Sequence, residues 1–398
     1  MTQDKPSLVK KEYLLPFVLI TSLFFMWGFA RSILDLLNKH FQDTMEMTKA
    51  ASSLIQVMVY SAYFLMAVPA GLYINRFGYR RGVVAGLSLF GIGALMFIPG
   101  ERLMSFRIFL GALFVLGCGL VILETAANPY AASLGDPRTG ASRLNLAQSF
   151  NGLGCIFGPL IVGQILFTEG GESSVALPYT VMGIVVLCIA AVFSRVNLPE
   201  ISNANADIGQ NVSITELWRR GRFVFGLIAL FAYEISEISI NSFFINYVTE
   251  DGHTSAAEAS VLLSICGLGL FFLGRLLGSV VMSRVRAESV LTVCGAGAVV
   301  CTILIIVYAG VMSRIALYCC YAFESIMFPT IFALSVKDLG ALTKRASSFL
   351  MMTPIGGAVG AFLMGNAADA MGMAPAFAVP CAGYCVVLAY ALFIRKKH

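Results

Sequence analysis

Phe106-Arg-Ile-Phe-Leu-Gly-Ala-Leu-Phe-Val-Leu-Gly-Cys-Gly-Leu-Val-Ile-Leu-Glu124-Thr-Ala-Ala-Asn128-Pro129 is the stretch that decides the fold. From Ile108 to Leu123 no side chain is charged, and the apolar character is that of a helix crossing the hydrocarbon of a bilayer. Glu124 then sets a carboxylate deep in the segment, which costs roughly 2.5–3.5 kcal/mol on insertion scales. A chain that carries such a group uses it. The same Glu-to-Pro spacing returns 200 residues later as Glu324-Ser-Ile-Met-Phe-Pro329.

The rest of the chain agrees with a membrane reading. It has 398 residues, 58% hydrophobic and 12% charged, where a soluble domain carries about 25% charge. Windows of about 20 apolar residues predict twelve spans near 14–37, 51–74, 82–99, 106–133, 145–167, 176–196, 222–247, 257–283, 288–311, 315–335, 346–368 and 374–394. Lys5, Lys10 and Lys11 precede the first run as they would in a secretory leader, but the internal repeat requires that segment, so we read it as a span. The longest connection, 198–221, carries Pro199, several Asn and Ser, and Arg219-Arg220-Gly221. It predicts a cytoplasmic linker with a short helix near Ile214–Trp218, separating an N-terminal six-helix half (1–197) from a C-terminal one (222–398).

Charge sets the orientation. Of 27 Lys and Arg, the outer segments hold only Lys39, Lys49, Arg102, Arg107 and Arg314, while Arg31 and Arg275 fall inside spans. The others lie on segments that are inner if both termini are cytoplasmic. Most of these loop charges serve topology and lipid headgroups. Ten cysteines show no metal or redox spacing, and the histidines lie in loops or at the terminus. There is no phosphate-binding Gly-rich Lys loop. No enzyme, cofactor, metal or nucleic-acid partner is expected.

The two halves are related. Arg143, Gly154, Gly158 and Gly163 match Arg345, Gly356, Gly360 and Gly365 at a constant offset of 202, Asp35 meets Glu237 at the same offset, and Glu124 and Pro129 meet Glu324 and Pro329 at 200. A parallel 6+6 repeat is the architecture of major facilitator transporters, with substrate bound near the midplane. The paired glycines read as small-residue packing faces.

Three further stretches sharpen this. Gly71-Leu-Tyr-Ile-Asn75-Arg76-Phe-Gly78-Tyr-Arg80-Arg81 resembles the loop between the second and third spans of the major facilitator superfamily, with Asn75 in place of the usual Asp. Leu123-Glu-Thr-Ala-Ala-Asn-Pro-Tyr130, Arg143-Leu-Asn-Leu-Ala-Gln-Ser-Phe-Asn151 and Phe328-Pro-Thr-Ile-Phe332, with Trp27 and Asp35, resemble the fucose–galactose–glucose:proton symporter family along essentially the whole chain. The resemblance implies an all-α polytopic fold of twelve transmembrane helices in a bacterial inner membrane. It implies a monomer that imports a hexose-type sugar on the proton gradient. It implies Asp35 and Glu124 as proton-linked carboxylates, and Gln148 and Asn151 as sugar ligands. Met327-Phe328 and the Glu237–Asn241 pair depart from the fucose branch and leave the sugar open among fucose, galactose, glucose and N-acetylated derivatives.

A sugar needs amide and carboxyl groups for its hydroxyls and an aromatic for its apolar face. Glu124, Asn128, Gln148, Asn151, Glu237 and Asn241 supply the first; Trp27 and Phe328 supply the second. Each has a plain alternative. The polar residues can tie helices together, and a single aromatic is more often packing. Arg31, one turn before Asp35, either pairs with it or receives an acidic sugar. A facilitator without proton coupling is the main rival mechanism. Glu324, the symmetry mate of Glu124, has no role in the family pattern.

Overall fold

The computed structural model describes residues 9, 13–134, 140–167, 174–195, 214–282, 284–337, 339 and 342–396. Every regular element among them is helical. Twelve helices are long and apolar enough to cross a membrane: α1 Leu14–Met45, α2 Lys49–Ile74, α3 Tyr79–Arg102, α4 Phe106–Asn128, α5 Leu146–Leu166, α6 Ala176–Arg195, α7 Gly221–Thr249, α8 Ala256–Gly278, α9 Ala287–Val307, α10 Val311–Val336, α11 Ala346–Met371 and α12 Met373–Lys396. A short helix, Ile214–Trp218, stands where the linker predicts one. Residues 198–213 of that linker lie outside the described residues.

Helix α1 runs past the predicted end at residue 37 to Met45. Its last two turns are polar, so hydropathy does not see them. One local and one long-range bond hold them: Lys39 pairs with Asp43 at 2.6 Å, and the Asn38 carboxamide donates to the Ser242 carbonyl of α7 at 3.0 Å. Span α10 is interrupted. One helix ends at Glu324 and the next begins at Met327. The corresponding helix through Glu124 is continuous from Phe106 to Ser133. A π-helical turn, Leu263–Leu268, interrupts α8.

Packing divides the chain into two units. Unit 1 comprises Met1–Leu34 and Ser61–Ser202; unit 2 comprises Asp35–Tyr60 and Asn203–His398. The division falls in the linker, between Ser202 and Asn203, and also inside α1 and α2. Residues 35–60 join unit 2 through polar ties. Besides Asn38, Gln42 accepts from Asn246 on α7. The Asp369 carboxylate accepts from the backbone N–H groups of Lys49 and Ala50 at 3.0 and 2.8 Å.

The repeated glycines do one job in each unit. In unit 1 a Cβ on Gly154 would lie 2.1 Å from the Phe25 carbonyl, and one on Gly158 2.1 Å from the Ser32 hydroxyl, so α5 rests directly on α1. In unit 2 a Cβ on Gly356 would lie 2.5 Å from the Phe231 carbonyl, and one on Gly360 2.3 Å from that of Ile235, so α11 rests on α7. Lipid tails are as apolar as the helices, so association relies on this close packing. Gly78, in the loop before α3, has φ 84°, a left-handed conformation that a β-carbon disfavours. Beyond it, the Arg80 guanidinium donates to the Phe193 carbonyl at 3.3 Å.

Gly154→Leu is expected to destabilise the protein by about 1–3 kcal/mol, through overpacking against backbone. Gly111→Ala, at a helical position with open space around it, is expected to gain about 0.5–1 kcal/mol. Thermal unfolding in detergent separates the two, and equal melting temperatures would contradict the packing role of Gly154.

Candidate functional site

In unit 1 the α4 motif presents Glu124 and Asn128 one turn apart. Asn128 donates to the Glu124 carbonyl at 3.1 Å, and its own carboxamide oxygen accepts from Gln148 on α5 at 3.2 Å. Glu124 is half-buried. Its side chain is hydrogen-bonded to Tyr63 of α2 and lies within electrostatic reach of Arg31 on α1. Four spans thus converge on one carboxylate and its amide relay. A half-buried carboxylate matched by a guanidinium and a phenol escapes most of the penalty that an isolated charge would meet in hydrocarbon.

Asn151 also turns toward α1, where its carboxamide nitrogen donates to the Phe24 carbonyl at 3.1 Å. That bond ties helices, the alternative weighed for it from sequence, and engages one of its two polar atoms. The rings of Phe24 and Trp27 stand 6.0 Å apart at 53°. The Trp27 indole N–H is buried without a hydrogen-bond partner among the described residues. An aromatic face with an unsatisfied donor is suited to a ring of hydroxyls.

The remaining candidates belong to unit 2. Asp35 is 9% exposed and accepts from Gln56 of α2 at 3.4 Å. Arg31 is thus within electrostatic reach of Glu124, and Asp35 accepts from Gln56. Glu237 and Asn241 are buried on α7, and the Asn241 carboxamide oxygen has no hydrogen-bond partner among the described residues. Phe328 is half-buried, with its ring 6.3 Å from that of Phe332 and 6.3 Å from that of Tyr233.

Sequence reasoning missed Tyr63, the phenol that meets Glu124. It also missed Asn38 and Gln42, which continue the face of Asp35 at helical spacing. A polar tip within the apolar run of α2 was the available signal for Tyr63, but a tyrosine in a span is usually packing. No group of His, Cys, Asp and Glu able to hold a metal occurs among the described residues.

A continuous set of twelve apolar spans with buried carboxylates and amides on α1, α4, α5 and α7 defines a multi-pass membrane transporter. The Major Facilitator Superfamily profile matches residues 17–361, and the chain belongs to that family. It is 32% identical over 399 residues to the glucose/galactose transporter of Brucella abortus, covering 98% of this chain and 96% of that one. It is 33% identical over 422 residues to the L-fucose-proton symporter of Escherichia coli, covering 98% and 95%. Among solved structures, a crystal structure of the E. coli fucose:proton symporter FucP superposes with a TM-score of 0.71 at 32% identity, covering 96% of this chain and 99% of the other.

Gln148→Leu is expected to destabilise the protein by about 1–2 kcal/mol, because it removes the donor to a partly buried Asn128 oxygen. Gln148→Glu keeps the volume but offers that oxygen only an acceptor, and should cost at least as much. Thermal unfolding in detergent reads both, and a neutral result for both would remove Gln148 from the relay.

Proposed function

We propose that this chain is a proton-coupled symporter that imports a hexose-type sugar across the bacterial cytoplasmic membrane by alternating access. It acts as a monomer with both termini cytoplasmic. The observation that carries the reading is the meeting of Arg31, Tyr63, Glu124, Asn128 and Gln148 in unit 1. Here one ionisable side chain lies beside amides of the kind that bind sugar hydroxyls. The known activities of the glucose/galactose and L-fucose relatives support the substrate class and the proton.

In this mechanism Glu124 carries two tasks. As a carboxylate it is matched by the Arg31 charge and the Tyr63 hydroxyl. A proton on Glu124 cancels that charge, frees Arg31 from its counter-ion and turns the carboxyl into a donor for a sugar hydroxyl. Proton and sugar then stabilise the same arrangement, which is the reciprocity that symport needs. Asn128, bonded to the Glu124 backbone carbonyl, and Gln148 tie α4 to α5 beside the carboxyl. Asp35, with Gln56, is a second proton-linked carboxylate, and Glu237, Asn241 and Phe328 are the sugar-binding candidates within unit 2. Arg31 already faces a carboxylate, which favours a neutral sugar over an acidic one.

In proteoliposomes, an imposed inward proton gradient is expected to drive labelled-hexose accumulation, and a protonophore to abolish it. Glu124→Gln should lose accumulation but keep sugar exchange, because the amide mimics the protonated acid. Sugar flux that only equilibrates, and is the same with the gradient, with the protonophore and in Glu124→Gln, would leave a facilitator as the correct mechanism.

The chain has two tryptophans, so Trp218→Phe leaves Trp27 as the only indole. Its emission should change saturably with fucose, galactose or glucose. An emission insensitive to all three at millimolar concentration would remove Trp27 from the sugar site.

A further inference from the structure

Glu324 is fully buried, at 0% exposure, and lies where α10 is interrupted. The helix Val311–Glu324 ends on it, and the next begins at Met327. One carboxyl oxygen accepts from the Tyr384 hydroxyl of α12. The other has no hydrogen-bond partner among the described residues. Among the described residues Glu324 forms no ion pair. We propose that Glu324 is a further proton-holding site of this chain, distinct from Glu124 and Asp35, standing as a neutral carboxylic acid bonded to Tyr384 at the broken point of α10.

The groups around it make the ionised form untenable. From α7, the side chain within electrostatic reach is another carboxylate, Glu237, and the Tyr233 phenol also senses Glu324. From α10 itself come Cys320 and Tyr321, and from α12 comes Tyr384. Glu234 and Asp35 stand further out, in reach of Tyr233 and Tyr321 respectively. On α9, Cys301 lies in reach of Cys320. The cation of this region is Arg275 on α8. Its Nε donates to the Ser325 carbonyl at 3.2 Å, and its guanidinium lies 4.8 Å from the centre of the Phe271 ring. Arg275 therefore serves the broken backbone rather than the carboxyl. A fully buried carboxylate with one donor, no cation and a carboxylate neighbour is the arrangement that proteins avoid by neutralising the group. A neutral acid leaves only a neutral oxygen unbonded.

Three irregularities meet here. The break in α10 lies at Glu324. The π-helical turn of α8 packs on Tyr321, where a Cβ on Gly267 would meet the ring at 3.2 Å. The Tyr233 and Tyr321 hydroxyls are both buried without hydrogen-bond partners among the described residues. Broken helices and π turns inside membrane spans mark functional positions. The contrast with Glu124 is informative: the symmetry-related carboxyl has Arg31 beside it, and Glu324 has none. One position of the repeat became a group that can alternate between charged and neutral, and the other a group held neutral. This inference does not depend on the transport mechanism proposed above, because its test involves no sugar.

Infrared spectra of the purified protein at neutral pH, in H2O and D2O, test it. The wild type is expected to show the carbonyl stretch of a protonated carboxylic acid with the usual deuterium shift. Glu324→Gln should remove that intensity, and Arg275→Gln should leave it in place. Tyr384→Phe should keep the band but move it to higher frequency, since a hydrogen bond to the carbonyl is lost. Superimposable wild-type and Glu324→Gln spectra would overturn the proposal. Should Glu324→Gln fail to fold, an unmoved band in Tyr384→Phe would overturn it equally.

Discussion

An ionisable group inside a hydrocarbon-length helix must be paired, hydrogen-bonded or protonated, and the polar architecture of this protein follows from that constraint. The hydrocarbon supplies no water to solvate a charge. Each buried carboxyl therefore recruits partners from neighbouring spans, and recruiting them fixes which spans come together. Glu124 draws in α1 and α2 through Arg31 and Tyr63. Asp35 is held by α2 through Gln56. Glu324 is held by α12 through Tyr384.

Close backbone approach makes these recruitments geometrically available. Gly154 and Gly158 let α5 settle on α1, and Gly356 and Gly360 let α11 settle on α7. A carboxamide on α5 such as Asn151 reaches a backbone carbonyl of α1 only because no side chain separates the two helices there. Polar chemistry and small-residue packing are thus one design. The glycines supply the proximity, and the amides and carboxyls convert proximity into specific bonds.

The two units distribute the carboxyls differently. In unit 1 Glu124 has a cation and a phenol beside it. Among the described residues, unit 2 buries Asp35, Glu234, Glu237, Glu288 and Glu324, the last where α10 is broken. Glu124 and Glu324 stand at matching positions of the two halves, 200 residues apart, in different surroundings: Arg31 and Tyr63 beside the first, Tyr384 beside the second.

Length, apolar periodicity and charge asymmetry by themselves determined the twelve spans, the internal repeat and the residues whose burial demands a purpose. The energy of transferring a peptide segment into a bilayer is a local quantity, so it can be read along the chain. Local signals do not say which atoms meet. Arg31 and Asp35 sit one turn apart in the sequence, and the tertiary structure brings Glu124 within electrostatic reach of the first and the Gln56 carboxamide to the second. Tyr63 and Tyr384 look like packing until the fold sets a carboxyl against each. The polar end of α1 escapes a hydropathy reading because its bonds are to α7. Partner choice depends on the packing of distant spans, and only the tertiary structure decides it.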